Sequence, residues 1–216
     1  ISKNEYQIFV FDNKKKIDLY KKEIKYKNSI NFLDFNSLQE FLDTNIYKIE
    51  KLIGEFIKNI ILIIESDEVL NVNIGVKKKN YNDSLDKKYL KNNLTELKDL
   101  FKENYQKQTI MHMIVENYII DKKKYSSFIE NLSSDHLSLE VNFFSISNKL
   151  VLELEKVLEK YQIKIIQFMS GSYVKSFLND ENNEIYSMAL ELKDGLNENE
   201  VILVPKNIEN KGFFEK

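Results

Sequence analysis

The chain has 216 residues, 43% of them hydrophobic and 12% aromatic, which is enough for one domain with a buried core and argues against a disordered tail. Its 32 basic and 34 acidic residues nearly cancel to a net charge of −2, which demotes proteins whose main task is to grip nucleic-acid phosphates. With no Cys, no Arg and two His, the chain has no disulfide framework, no thiolate nucleophile, no zinc–thiolate site and no guanidinium fork.

Residues Glu5 to Phe11 read as a strand, Asp12-Asn13-Lys14 as a turn, and Ile17 to Tyr26 as the return strand of a hairpin. The first 30 residues hold eight Lys against four acids. That balance fits a solvated basic face, with a patch for an acidic partner or lipid as the functional alternative. Ser37 and Glu40 have the spacing of a capping box. After them Leu38, Phe41, Leu42, Ile46, Ile49, Leu52, Ile53, Phe56 and Ile57 recur at three and four residues. This is one apolar helical stripe, and a sheet is its natural partner.

Two short strands are expected at Ile60 to Glu65 and Leu70 to Val76. In the second, Leu70, Val72, Ile74 and Val76 alternate with Asn71, Asn73 and Gly75, so one face is buried and one is wet. A second helix spans Leu85 to Tyr105. A long strand, Ile110 to Ile120, and another, Leu137 to Ile146, are expected to pair antiparallel across a turn rich in Lys and Ser. A third helix, Leu150 to Tyr161, leads to a strand at Ile163 to Phe168. Short helical stretches follow at Tyr173 to Leu178 and Ile185 to Leu192, the latter ended by Gly195. Leu196 to Lys216 is rich in Asn and Glu, holds the one Pro, and reads as a tail or linker. No apolar run approaches the ~18 to 20 residues needed to cross a bilayer. Together with the absence of a visible signal peptide and of Cys, this reads as cytoplasmic.

Chemistry-bearing residues are sparse. On a two-residue period His112 shares a face with Ile110 and Ile114, and a hydrogen-bonded structural histidine is the favoured reading over a catalytic or metal role. His136, beside Asp135, receives no role. Ser170-Gly171-Ser172 lies between a strand and a helix but lacks the second Gly of a nucleophile elbow, so a turn with hydroxyl capping is favoured over a hydrolase. The lysine triplets Lys77 to Lys79 and Lys122 to Lys124 read as solvated turns, with a nucleic-acid or lipid contact as the alternative. No P-loop, G-x-G-x-x-G, H-E-x-x-H or EF-hand loop occurs, and no catalytic or metal-ligating set is assigned.

The stretch Ile110-Met111-His112-Met113-Ile114-Val115-Glu116-Asn117-Tyr118-Ile119-Ile120-Asp121 resembles a segment of FtsA, the actin-like bacterial division protein that tethers FtsZ to the membrane. The family pattern H-x-(I/V)-P-x-x-(Y/F)-x-(I/V)-D is matched at His112, Ile114, Tyr118, Ile120 and Asp121, with Val115 in place of the Pro. The order of elements on both sides is similar to the family's run, from the helix Leu38 to Ile57 and Asn71-Val72-Asn73-Ile74-Gly75 through to the strand Ile163 to Phe168. Lys211-Gly212-Phe213-Phe214-Glu215-Lys216 looks like the start of the family's membrane-interface helix, with Phe213 and Phe214 as its apolar members.

The resemblance implies an α+β protein: an actin-like remnant with an FtsA-type strand–helix–strand–strand domain, its mixed sheets packed by helices. It divides the chain into an N-terminal hairpin of a reduced actin-like core (1–30), the FtsA-type small domain (31–147), a return to the core (148–195) and a flexible tail (196–216). The implied function is a non-enzymatic adaptor in bacterial cell division, cytoplasmic and peripheral to the inner membrane, which it would reach through a helix continuing beyond Lys216. Its implied partners are FtsZ or late division proteins and further copies of itself, with no nucleic acid. The family binds ATP, but Phe11-Asp12-Asn13-Lys14 carries no Gly where phosphate would approach, so no cofactor is expected here. PilM-type scaffolds of type IV pilus assembly, which share the ancestry, are the alternative.

Overall fold

The computed structural model describes residues 1–3, 5–12, 15, 17–26, 33–178 and 184–202. The elements run β1 (Glu5–Asp12), β2 (Ile17–Lys25), α1 (Phe35–Ile53), β3 (Asn59–Ile64), β4 (Leu70–Lys79), α2 (Lys87–Asn104), β5 (Gln108–Ile120), β6 (Lys123–Tyr125), β7 (His136–Ser147), α3 (Asn148–Glu159), β8 (Lys164–Ser170), α4 (Gly171–Lys175) and α5 (Ile185–Lys193). The fold is α+β, with sheets packed by helices. β1 and β2 form an antiparallel hairpin, β3 and β8 a parallel pair, and the third sheet has the order β4-β7-β5-β6. The chain thus leaves the β3–β8 pair after Ile64, builds the four-stranded sheet, and returns through α3.

Three apolar clusters organise these layers. In the first, α1 and α3 bury Phe41, Leu42, Ile46, Leu150 and Leu154 against Tyr6, Leu62 and Ile64. In the second, α2 lays Leu97 and Phe101 on Met113, Leu139, Val141 and Phe143. In the third, α4 and α5 cover Met169 with Tyr173, Val174, Met188 and Leu192. Each fully buried aliphatic side chain contributes about 1.5–3 kcal/mol. Helix α1 and strand β3 pack into the first cluster with β1 and α3, and Met111 and Ile146 of the four-stranded sheet join them.

The boundaries of α1 differ from expectation at both ends. Its cap is Asp34: the carboxylate accepts from Asn36 N at 3.1 Å, and Ser37 Oγ donates to Asp34 Oδ2 at 2.6 Å. The expected Ser37–Glu40 capping box is therefore not the cap. A carboxylate at the positive end of the helix gains from charge as well as hydrogen bonding, and the Ser37 hydroxyl supports it, holding Asp34 below the usual carboxylate range. The stripe expected to reach Ile57 stops at Gly54, whose φ of 77° ends the helix and leaves Leu52 and Phe56 exposed. The expected turn after Ile120 contains the short strand β6. Asp121 and Lys122 both have positive φ, as a tight two-residue hairpin turn requires. The Asp121 carboxylate then fixes the start of β7 by accepting from His136 N at 2.9 Å.

Where β8 turns into α4, Gly171 lies against the end of β3. A Cβ there would sit 2.9 Å from Glu65 Cβ and 3.3 Å from both Glu65 Cα and Ile64 O. The side chain is absent because two backbones approach. Gly171→Ala is expected to push β8 from β3 and cost about 1–3 kcal/mol, read from the midpoint of chemical denaturation.

Candidate functional site

The polar cluster richest in titratable groups is built on β5. Opposite β7, Ile110 faces Ser145 and His112 faces Phe144, so Met111 is an extra residue, a β-bulge. One inserted residue reverses the alternation of faces. Ile110 therefore stays on the α2 side, while His112 and Ile114 turn to the other. The expected sharing of a face by Ile110 and His112 fails for this reason. The imidazole is completely buried, 4.3 Å from the ring of Tyr173 and edge-on to Phe144.

The partners of His112 come from far along the chain. Beyond Tyr118 the outer edge of β5 is paired by β6, but its earlier residues are not. The segment 199–201 fills this opening: Val115 N donates to Asn199 O at 2.9 Å, Val201 N donates to Met113 O at 2.8 Å, and Ile114 bridges Glu200 antiparallel. Residues 196–202 of the expected tail are thus a strap on the sheet, held because unpaired edge amides and carbonyls gain partners there. The strap delivers the Glu200 carboxylate into the interior. Its Oε1 lies 2.7 Å from His112 Nδ1, and its Oε2 accepts from the Tyr173 hydroxyl at 2.7 Å. Asn197 Nδ2 donates to the same hydroxyl at 2.9 Å, and Ser170 N donates to His112 Nε2 at 2.9 Å. Because Nε2 accepts from a backbone amide, the ring proton belongs on Nδ1, where it meets the carboxylate.

Serine, histidine and glutamate in a row invite comparison with a hydrolytic triad, but the connections differ. Nε2 faces the Ser170 amide rather than its hydroxyl, and Ser170 Oγ pairs with Ser172 Oγ at 2.9 Å. No lone pair of the imidazole is left to take a hydroxyl proton. The arrangement acts as a clasp joining β5, α4 and the strap. Burial pushes the Tyr173 phenol well above its ordinary range; the Asn197 donor opposes this and the Glu200 acceptor adds to it.

The other residues singled out by sequence lie apart from the clasp. Of the FtsA-like positions, Ile114 packs in the third cluster and Tyr118 and Ile120 in the second, while Asp121 pins the β5–β6 turn. Lys78 pairs with Glu96 and Lys124 with Glu140 on the surface. Phe213 and Phe214 lie outside the described residues, as do Asn13 and Lys14 of the first turn. The Asp12 carboxylate accepts from Lys15 N at 3.0 Å, the positive-φ glycines Gly54 and Gly195 end helices, and Gly171 backs onto Glu65. Among the described residues no group of three or more His, Asp or Glu could hold a metal ion, and no helix is long and apolar enough to cross a membrane. Glu200, Asn197 and Tyr173 carry no role in the sequence reading. The available signal was the apolar run Val201-Ile202-Leu203-Val204, a strand pattern inside a segment judged by its polar average.

No family model and no curated protein matches the chain. Among solved structures it is similar to the cytoplasmic domain of EpsL, an inner-membrane component of the type II secretion system of Vibrio cholerae. The match has a TM-score of 0.43 and 6% sequence identity, and covers 83% of this chain and 56% of that one. The chain thus spans little more than half the length of that structure, and a likeness of this degree carries no functional argument.

Two measurements test the clasp. Gln at position 200 offers one acceptor where two donors converge, so Glu200→Gln is expected to leave a buried donor unpaired, at about 1–3 kcal/mol. It should also speed hydrogen exchange at the Val115 and Val201 amides that bind the strap. The raised phenol gives a pH signature: in the folded state Tyr173 keeps its proton beyond the pH at which a free phenol loses it. Its contribution to stability is full below about pH 10 and is lost as pH rises above that value. Stability should therefore fall above about pH 10, and fall less steeply in Tyr173→Phe.

Proposed function

We propose that the chain is a non-enzymatic adaptor of bacterial cell division, resembling FtsA, that binds its partners by strand addition to the four-stranded sheet. The observation that carries this reading is β4, a strand of ten residues at the end of its sheet, bonded to β7 along one side and to no strand along the other among the described residues. Edge strands of this length are templates for pairing, and proteins usually blunt them. Here the blunting is confined to one end. Lys77, Lys78 and Lys79 close the strand, while Leu70 to Val76 carries no charge. In that half Asn71, Asn73 and Gly75 are exposed and Val72, Ile74 and Val76 are partly buried against the second cluster. An incoming strand would find main-chain hydrogen bonds and an uncharged register there.

The FtsA-like reading draws further support from the insertion of this sheet between the parallel strands β3 and β8, and from β5, the strand on which the resemblance rests, lying at its centre. Attachment to the inner membrane would use the segment containing Phe213 and Phe214. The test places a photoreactive residue at Asn71 or Gly75 of the tagged gene product in its own cells. Cross-links to FtsZ or late division proteins, with a fluorescent fusion at the division site, are expected. Cross-links to pilus-assembly proteins would move the chain to the PilM-like system. No cross-link and diffuse fluorescence would overturn the adaptor reading.

A further inference from the structure

Between β1 and β3 lies an apolar cleft of about 870 Å³, lined along its length by Ile8 and Val10 on one side and Ile61 and Ile63 on the other. The two strands lie in one layer. On one side of it, Tyr6, Ile8, Leu62 and Ile64 meet the first cluster beneath α1 and α3. On the other, Phe9 stacks on Tyr186 of α5 at 4.6 Å, and Ile61 and Ile63 pack in the third cluster with Ile185. Both helices bridge the opening. Tyr6 Oη donates to Asp34 O at the cap of α1, while Tyr186 Oη donates to Asp18 and Lys21 pairs with Glu184 at the start of α5. Among the described residues the layer is therefore covered on both faces and interrupted in the middle, with β1 bonded to β2 on one flank and β3 to β8 on the other.

The mouth of the cleft already holds the end of a strand. Ile1 N donates to Ile63 O at 2.8 Å and Glu65 N donates to Ile1 O at 2.9 Å, two rungs of a parallel ladder with β3. Ser2 exchanges both main-chain bonds with Glu5, at 2.8 and 3.4 Å, and so opens an antiparallel ladder with β1 across a two-residue connection. In both ladders the next cleft-facing groups lie two residues further along: Ile63 N and Ile61 N and O on β3, Gln7 and Phe9 on β1. One extended segment running into Ile1 would satisfy both edges together.

We propose that the cleft is a strand-acceptor site for polypeptide continuous with Ile1 on its N-terminal side, lying parallel to β3 and antiparallel to β1. It would join the hairpin and the parallel pair into one sheet of order β2-β1-strand-β3-β8. Apolar side chains on both faces suit it, because α1 covers one face and α5 the other. The site is separate from the β4 edge, and each reading stands or falls by itself.

The test compares three proteins: the chain as given, the chain preceded by eight residues alternating Thr and Val, and the chain preceded by eight residues of Gly and Ser. Hydrogen exchange is read at Gln7, Phe9, Ile61 and Ile63. The Thr/Val extension is expected to slow exchange at these amides by about tenfold or more and to raise the thermal midpoint, while the Gly/Ser extension does neither. Equal behaviour of the two extensions would overturn the proposal. So would full protection of these amides in the unextended chain, since β1 and β3 then close on each other. A free Thr/Val octapeptide that protects them when the tethered one does not would also overturn it, because the site would then take a strand in trans.

Discussion

A single extra residue in β5 sets the relations among the three clusters. Strands alternate faces with a period of two, and a regular β5 would send one set of side chains to α2 and the other to the opposite side throughout. The bulge at Met111 breaks that rule. Met111 itself packs in the first cluster, Met113 and Val115 in the second, and Ile114 in the third. One strand thereby serves three cores, and the four-stranded sheet is fixed relative to the β3–β8 pair through apolar contact. At a second bulge the Glu116 carboxylate accepts from Asn142 on the adjacent β7 and from Asn73 on β4 beyond it.

The polar counterpart of that arrangement is the Glu200 clasp. A buried imidazole and a buried phenol each need an acceptor, and a carboxylate supplies two. Bringing that carboxylate in requires a strand at the open edge of β5, and the strap provides it. Edge pairing and polar satisfaction are thus one event: the strap is held by its main chain and in turn satisfies His112 and Tyr173. The same logic of open and filled edges runs through the molecule. The strap fills part of β5, three lysines blunt one end of β4, and among the described residues the cleft beside β3 has an edge without a strand partner on either side.

Much of this was legible in the residues. The helices at Leu38, Leu94 and Leu154 announce themselves by spacings of three and four, and β4 and β7 by alternation of apolar and polar side chains. The hydroxyl cap at Ser170 and the turn after Ile120 could also be read locally. The cap of α1 could not be settled from spacing, since Asp34 and Ser37 both suit an N-terminus and their competition depends on charge against the helix dipole. The candidate site was half legible. His112 stood out as a buried structural histidine, but its partners lie 58 and 88 positions away.

What the sequence determined by itself was the identity and order of the helices and most strands, because those depend on periodicities written within ten to twenty residues. It also determined the absence of thiolate, disulfide and guanidinium chemistry, which is a matter of composition. The tertiary structure decided which strands became neighbours, where the bulge reversed a face, and that a polar stretch late in the chain straps the edge of β5. It also decided why Gly171 is glycine and that β1 and β3 stand apart. Each of these depends on groups distant in sequence competing for one place in space, and a hydrogen-bonding edge or a close backbone approach leaves no periodic mark in the residues that form it.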